Sequence, residues 1–219
     1  MISAIVRRDV RLALRSGGAW LYGVFFFAVF IALSAIALGG SLDIMRPLAP
    51  ALIWLAVIFS AMLSFLAIFQ EDFSDGNLAQ YKISDASFVS LCAAKAISFS
   101  LVSILPLLLA APLAALVFDM APNVVTATFA SLALSTPALA AYGVLSSAIL
   151  AGRRGGGFLI VLITTPFLIP VLIFGLEAIA GYKSSGFAAV EFRIVVGLSL
   201  IAIAVGLPAA AAALNAHLE

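Results

Sequence analysis

The stretch that decides the fold runs Leu48-Ala49-Pro50-Ala51-Leu52-Ile53-Trp54-Leu55-Ala56-Val57-Ile58-Phe59-Ser60-Ala61-Met62-Leu63-Ser64-Phe65-Leu66-Ala67-Ile68-Phe69. It continues into Gln70-Glu71-Asp72-Phe73-Ser74-Asp75-Gly76-Asn77-Leu78-Ala79-Gln80-Tyr81-Lys82-Ile83-Ser84-Asp85. The first part has no charged side chain and is long enough to cross a bilayer, because roughly 20 apolar helical residues span about 30 Å of hydrocarbon. Only a backbone that satisfies its own hydrogen bonds survives there, so the run reads as a transmembrane helix. The second part carries five charges, four of them acidic, and belongs in water.

Five more apolar runs flank this one, near residues 19–38, 93–118, 124–151, 158–180 and 194–214. Composition agrees: of 219 residues 65% are hydrophobic and 10% charged, whereas a soluble domain is nearer half apolar and a quarter charged. The expected fold is an all-α membrane protein with six transmembrane helices, one domain over residues 1–219. Water-soluble enzymes, disordered chains and nucleic-acid binders are excluded, the last because 11 basic against 10 acidic residues leave a charge of only +1. Cys92 is the one cysteine, so no intramolecular disulfide forms, and with one histidine it builds no tetrahedral zinc site. Pro106, Pro112 and Pro137 predict tilt or kinks in the third and fourth spans, and Pro166 and Pro170 a bend in the fifth. The first run also has the look of a secretory signal ending at Ala35-Ile36-Ala37, but it exceeds the roughly 7–15 residues of a signal core, so an uncleaved helix is expected.

Arg7, Arg8, Arg11, Arg15, Lys82, Lys95, Arg153 and Arg154 fall on one side of this topology; Arg46, Lys183 and Arg193 fall on the other. The excess of basic residues predicts that both termini are cytoplasmic. Residues 1–16 read as an amphipathic helix at the cytoplasmic interface, with Arg7, Arg8, Arg11 and Arg15 within one arc at 100° per residue, ending at a Gly17-Gly18 turn. The alternative is a cluster that only sets topology by contacting lipid phosphates. Small residues at Gly143, Ser147 and Ala151, and at Ala202, Gly206 and Ala210, recur every four positions and suit close helix packing, within the bundle or between subunits.

The acidic segment is more than the positive-inside tendency would produce. Asp75-Gly76 supplies a turn, and Ser84 is placed to cap a helix in which Phe88, Leu91 and Lys95 share a face. Interleaved acids, aromatics and leucines suit a docking surface; an ordinary solvated loop is the alternative. Gly152-Arg153-Arg154-Gly155-Gly156-Gly157 lacks the Lys-Ser/Thr ending of a phosphate loop and reads as a tight hairpin with two orienting arginines. Asp119 and Glu177 lie near helix ends toward the opposite face, either as buried proton or ligand sites or as groups solvated at the interface. No membrane-embedded aspartate pair or nucleophile with its base is present, and His217 is close to the C-terminus, so neither catalysis nor tight haem ligation is expected.

Leu48-Ala49-Pro50 with Ile53-Trp54, Glu71-Asp72 with Asp75-Gly76, Leu78 and Gln80, Ser135-Thr136-Pro137, Arg154-Gly155-Gly156, and Pro166 with Ile169-Pro170-Val171-Leu172-Ile173-Phe174 together resemble the CcmB family, in order and over essentially the whole chain. Members of that family, often called haem exporter protein B, are membrane subunits of the ATP-binding-cassette (ABC) complex of bacterial cytochrome c maturation. The resemblance implies an ABC exporter permease-like fold in the bacterial inner membrane. It implies a CcmA-like ATPase subunit, a second copy of the chain, CcmC-like and CcmD-like membrane proteins, and a CcmE-like haem chaperone whose release from CcmC the ATPase cycle drives. This chain would bind no cofactor directly, with ATP on the partner subunit and haem on partner proteins, and would itself be no enzyme.

On the same resemblance residues 70–92 form the cytoplasmic coupling loop. Glu71, Asp72 and Asp75, with Phe73, Gly76, Leu78 and Gln80, would dock into the ATPase. The basic N-terminal helix would lie against that subunit, and spans one, two and five would move. Arg153 and Arg154 would complete the cytoplasmic interface, and Glu177 with residues 181–192 would meet CcmC or CcmE on the periplasmic side. The chain lacks the tryptophan-rich haem-handling motif of CcmC-like proteins. Two other readings remain at this point: the permease of a lipid or drug ABC exporter, and a secondary transporter or membrane scaffold that needs no ATPase.

Overall fold

A computed structural model describes residues 2–16, 19–83, 87–153 and 156–217. The elements are α1 (Ile2–Ser16), α2 (Ala19–Ala37), α3 (Leu42–Phe65), α4 (Ala67–Ser74), α5 (Asn77–Ile83), α6 (Phe88–Phe99), α7 (Leu105–Val117), α8 (Pro122–Ile149), α9 (Gly157–Ser185), α10 (Val190–Ile201) and α11 (Leu207–His217). No strand occurs among the described residues. Six helical stretches are long and apolar enough to cross a membrane: Trp20–Ala37, Leu42–Ser74, Phe88–Val117, Pro122–Ile149, Gly157–Ala188 and Val190–His217. They are the six expected from sequence, and an even number of crossings leaves both chain ends on one face.

The second span is longer than its apolar run. Its 33 residues measure about 50 Å at 1.5 Å per residue, against about 30 Å of hydrocarbon, so it projects beyond the lipid. The segment expected as a coupling loop is therefore largely helical. α3 and α4 are separated only at Leu66, the chain turns at Asp75-Gly76, where Gly76 takes a φ of +71°, and α5 follows. Ser87 caps α6, accepting a 3.4 Å hydrogen bond from the Ser90 N–H. Ser84 and Asp85 lie outside the described residues, as do Gly17, Gly18, Arg154 and Gly155.

The prolines act in two ways. Pro112, Pro137, Pro166 and Pro170 sit inside uninterrupted helices. Ahead of Pro106 and Pro208 the third and sixth spans instead widen into π turns, Ser100–Ile104 and Ala202–Gly206. Proline has no N–H to offer the preceding turn, and the wider turn lets carbonyls find later donors.

α8 is the central post, packed against α3, α6, α9, α10 and α11. A helix with neighbours on every side needs small residues on every side, and Ala127, Ser131, Ser135, Ala138, Ala141, Gly143, Ser147 and Ala148 are all buried on it. Gly143 is needed because a Cβ there would come within 2.5 Å of the Phe65 ring. Both small-residue stripes are thus buried inside this chain, including Ala202, Gly206 and Ala210, with Gly206 against Ala141. At Gly175 on α9 a Cβ would meet the Trp54 ring at 2.3 Å, and the Gly175 carbonyl accepts a 2.5 Å hydrogen bond from the Ser131 hydroxyl. Thr164 to Ser146 at 2.7 Å and Ser199 to the Leu134 carbonyl at 2.7 Å tie α9 and α10 to the same post. In lipid the hydrophobic effect does not drive helices together, so such close contacts and hydrogen bonds hold the bundle.

Candidate functional site

The face carrying both chain ends gathers α1, α4, α5, the α8–α9 hairpin and the end of α11. His217 Nε2 lies 3.0 Å from the Ile149 carbonyl, which joins the C-terminal end to the hairpin. Trp20 Nε1 donates to the Ala13 carbonyl at 3.1 Å and pins the corner between α1 and the first span.

Behind the acidic segment lies a partly buried cluster of four charges. Arg8 on α1 reaches across 64 residues of sequence to Asp72 Oδ1 on α4 at 2.8 Å, and also contacts Asp9 Oδ1 at 2.9 Å. Lys95 Nζ on α6 pairs with Asp9 Oδ2 at 3.0 Å and with Asp72 Oδ2. The Asp72 and Lys95 side chains are only 4% and 8% exposed, which in this setting requires partners. Two cations against two carboxylates leave the cluster neutral. Burial alone would lower the pKa of Arg8, but its hydrogen bond to Asp9 and the charges of Asp72 and Asp9 outweigh that and raise it. Arg8 is therefore a permanent cation. A cavity of about 210 Å³ adjoins the cluster, bounded by Trp20, Phe99 and Ser103.

The residues expected to dock a partner divide into two groups. Glu71, Phe73, Asp75, Gly76 and Gln80 are exposed. Asp72 and Leu78 are not: Asp72 turns inward to Arg8 and Lys95, and Leu78, 2% exposed, is part of the core. The physical reason is that the segment is helical, so one of its faces must cover the bundle. Phe73, though partly exposed, has its ring over Gly152 of the hairpin, where a Cβ would come within 2.4 Å and where φ is +77°.

Arg7, Arg11, Arg15 and Arg153 are exposed, whereas Arg8, at the edge of the basic arc of α1, turns inward. The sequence does not mark Asp9, and it places Lys95 on a helix face without pointing to its partners. The signal for Lys95 was legible: a lysine on the Phe88–Leu91 face of a helix must find a carboxylate. On the opposite face Arg46 and Asp119 form an exposed ion pair, and Glu177 is exposed on α9. Gly181, Ala189 and Phe192 lie where α9 turns into α10, with Tyr182, Phe187 and Phe192 in mutual ring contact.

The family profile described as CcmB protein matches residues 1–217. The chain is similar to "Heme exporter protein B" of Bradyrhizobium diazoefficiens, 36% identical over 222 residues that cover all of this chain and 99% of the relative. The protein of that name from Paracoccus denitrificans is 33% identical over 218 residues, the full length of both, and that from Rhodobacter capsulatus 31% identical over 216 residues, 99% of each.

Proposed function

This chain belongs to the CcmB family, and from that membership we propose that it is the permease subunit of an ABC complex that serves haem delivery in cytochrome c-type biogenesis. It is a multi-pass membrane protein. We place it in the bacterial inner membrane with both termini cytoplasmic, consistent with the excess of basic residues on that face. The names of its relatives favour haem over a lipid or drug as the cargo of the system. The complex would supply a CcmA-like ATPase, a second copy of the chain, CcmC-like and CcmD-like proteins and a CcmE-like chaperone. ATP and haem would be held by those partners, and this subunit would move rather than catalyse.

The observation that carries the coupling is the charge cluster behind α4. Glu71, Phe73, Asp75, Gly76 and Gln80 offer the ATPase an acidic and aromatic surface. Asp72 would work from behind it: a displacement of α4 is passed to α1 through Arg8 and to the third span through Lys95. Phe73 over Gly152 would carry the same displacement to the α8–α9 hairpin and so to the fifth span. Glu177 and residues 181–192 would meet CcmC or CcmE outside.

The test reverses the two exposed acids and spares Asp72, whose reversal would break the internal cluster. Glu71→Lys with Asp75→Lys is expected to abolish co-purification of the ATPase subunit and the yield of mature c-type cytochrome, with the permease still in the membrane. An intact complex with normal ATP hydrolysis would refute the docking assignment.

A further inference from the structure

α1 separates its cations. Arg8 is saturated by Asp9 and Asp72, whereas Arg7, Arg11 and Arg15 have no ion pair or hydrogen bond among the described residues. All three border an open groove of about 1200 Å³ between α1 and α6, and the described residues that line it include no carboxylate. They recur every fourth residue, so they form a row about 12 Å long at 1.5 Å per residue. The same groove exposes apolar side chains: Leu14 is 70% exposed and Ile97 45%, with Val10 between the arginines.

At 15 residues α1 is too short to cross a bilayer, and it leads directly into the first span, so it lies at the membrane surface. A groove there that presents exposed guanidinium groups beside bare aliphatic surface suits an anion and a hydrocarbon chain together. We propose that the α1–α6 groove binds an anionic phospholipid of the leaflet facing α1, its phosphate held by Arg7, Arg11 and Arg15 and an acyl chain lying over Leu14 and Ile97. Charge decides the occupant: a zwitterionic lipid would leave the row of cations uncompensated. Bound there, the lipid would stiffen α1 against α6, the two helices that the Arg8–Asp72–Lys95 cluster also joins. The proposal stands whatever the cargo of the complex.

The test titrates the full-length chain in mild detergent with dioleoyl phosphatidylglycerol or dioleoyl phosphatidylcholine, with bound lipid counted by native mass spectrometry. The parent is expected to prefer the glycerol lipid by roughly tenfold or more, a preference that weakens with salt. Arg11→Gln alone should reduce affinity about fivefold, and Arg7→Gln/Arg11→Gln/Arg15→Gln should remove the preference, with helix content unchanged because the three side chains are exposed. Leu14→Ser/Ile97→Ser should weaken both lipids and keep the salt dependence. Equal retention of phosphatidylglycerol by the parent and Arg11→Gln would overturn the proposal. So would displacement of the lipid by inorganic phosphate at equal concentration, which would mark a site for a free anion. A triple variant that keeps its lipid preference but loses the ATPase subunit would assign the groove to a protein partner instead.

Discussion

Replacing Lys95 by methionine is the sharpest probe of the charge cluster, since methionine keeps the packing of the stem and removes only the cation. Ion pairs near 3 Å, such as Lys95 to Asp9 at 3.0 Å and Arg8 to Asp72 at 2.8 Å, are each about 5–6 kcal/mol of Coulomb attraction at an effective dielectric of 20, before desolvation is charged against them. Desolvation offsets most of that while the cluster is complete. Without Lys95, one guanidinium faces two carboxylates, and Asp72, whose side chain is 4% exposed, has little water to turn to. The expected cost is about 3–5 kcal/mol. Asp72→Asn alone should cost a similar amount, because Lys95 and Arg8 would then share Asp9. The double variant Asp72→Asn/Lys95→Met keeps Arg8 with Asp9 and is neutral again, so it should be more stable than the sum of its singles by about 2 kcal/mol or more. The assay is unfolding of the detergent-solubilised chain by sodium dodecyl sulfate, followed by helical circular dichroism. A Lys95→Met chain within about 1 kcal/mol of the parent, or a double variant whose cost equals the sum of the singles, would refute the neutral-cluster reasoning.

Two packing predictions accompany it. Gly175→Ala places a methyl 2.3 Å from the ring of Trp54, which is fully buried and unable to yield, so a loss of about 1–3 kcal/mol is expected in the same unfolding assay. Gly152→Ala forces a left-handed residue at φ +77° and displaces the Phe73 ring; it should cost about 1–2 kcal/mol in the same assay, and the double variant Phe73→Ala/Gly152→Ala should cost less than the sum of its singles, because the ring the methyl strikes is gone.

The spans were legible because hydrocarbon accepts little except long apolar helices, and the six runs need no partner to be recognised. Span ends were less so: a helix continues past the lipid as long as its backbone bonds are met, and nothing in Gln70-Glu71-Asp72-Phe73-Ser74 breaks it before Gly76. The acidic segment stands out in the sequence, but which of its side chains face inward does not. Asp72 and Asp75 are equivalent as letters, and only the helical phase of α4 against α1 and α6 directs one inward and leaves the other exposed. The small-residue stripes likewise allowed an internal or an external partner until Phe65 was found against Gly143 and Ala141 beside Gly206.

Sequence alone therefore determined the solvent of this protein, the number of its crossings and the family its segments resemble, because each follows from local composition and order. Tertiary structure decided which charges are joined and which remain available. Arg8, Asp9, Asp72 and Lys95 come from three separate helices, and a burial cost that no single helix could sustain is met only when packing brings both signs together. The same packing leaves Arg7, Arg11 and Arg15 without an ion pair among the described residues, beside exposed Leu14 and Ile97, a surface no composition could have distinguished from the rest of a basic helix.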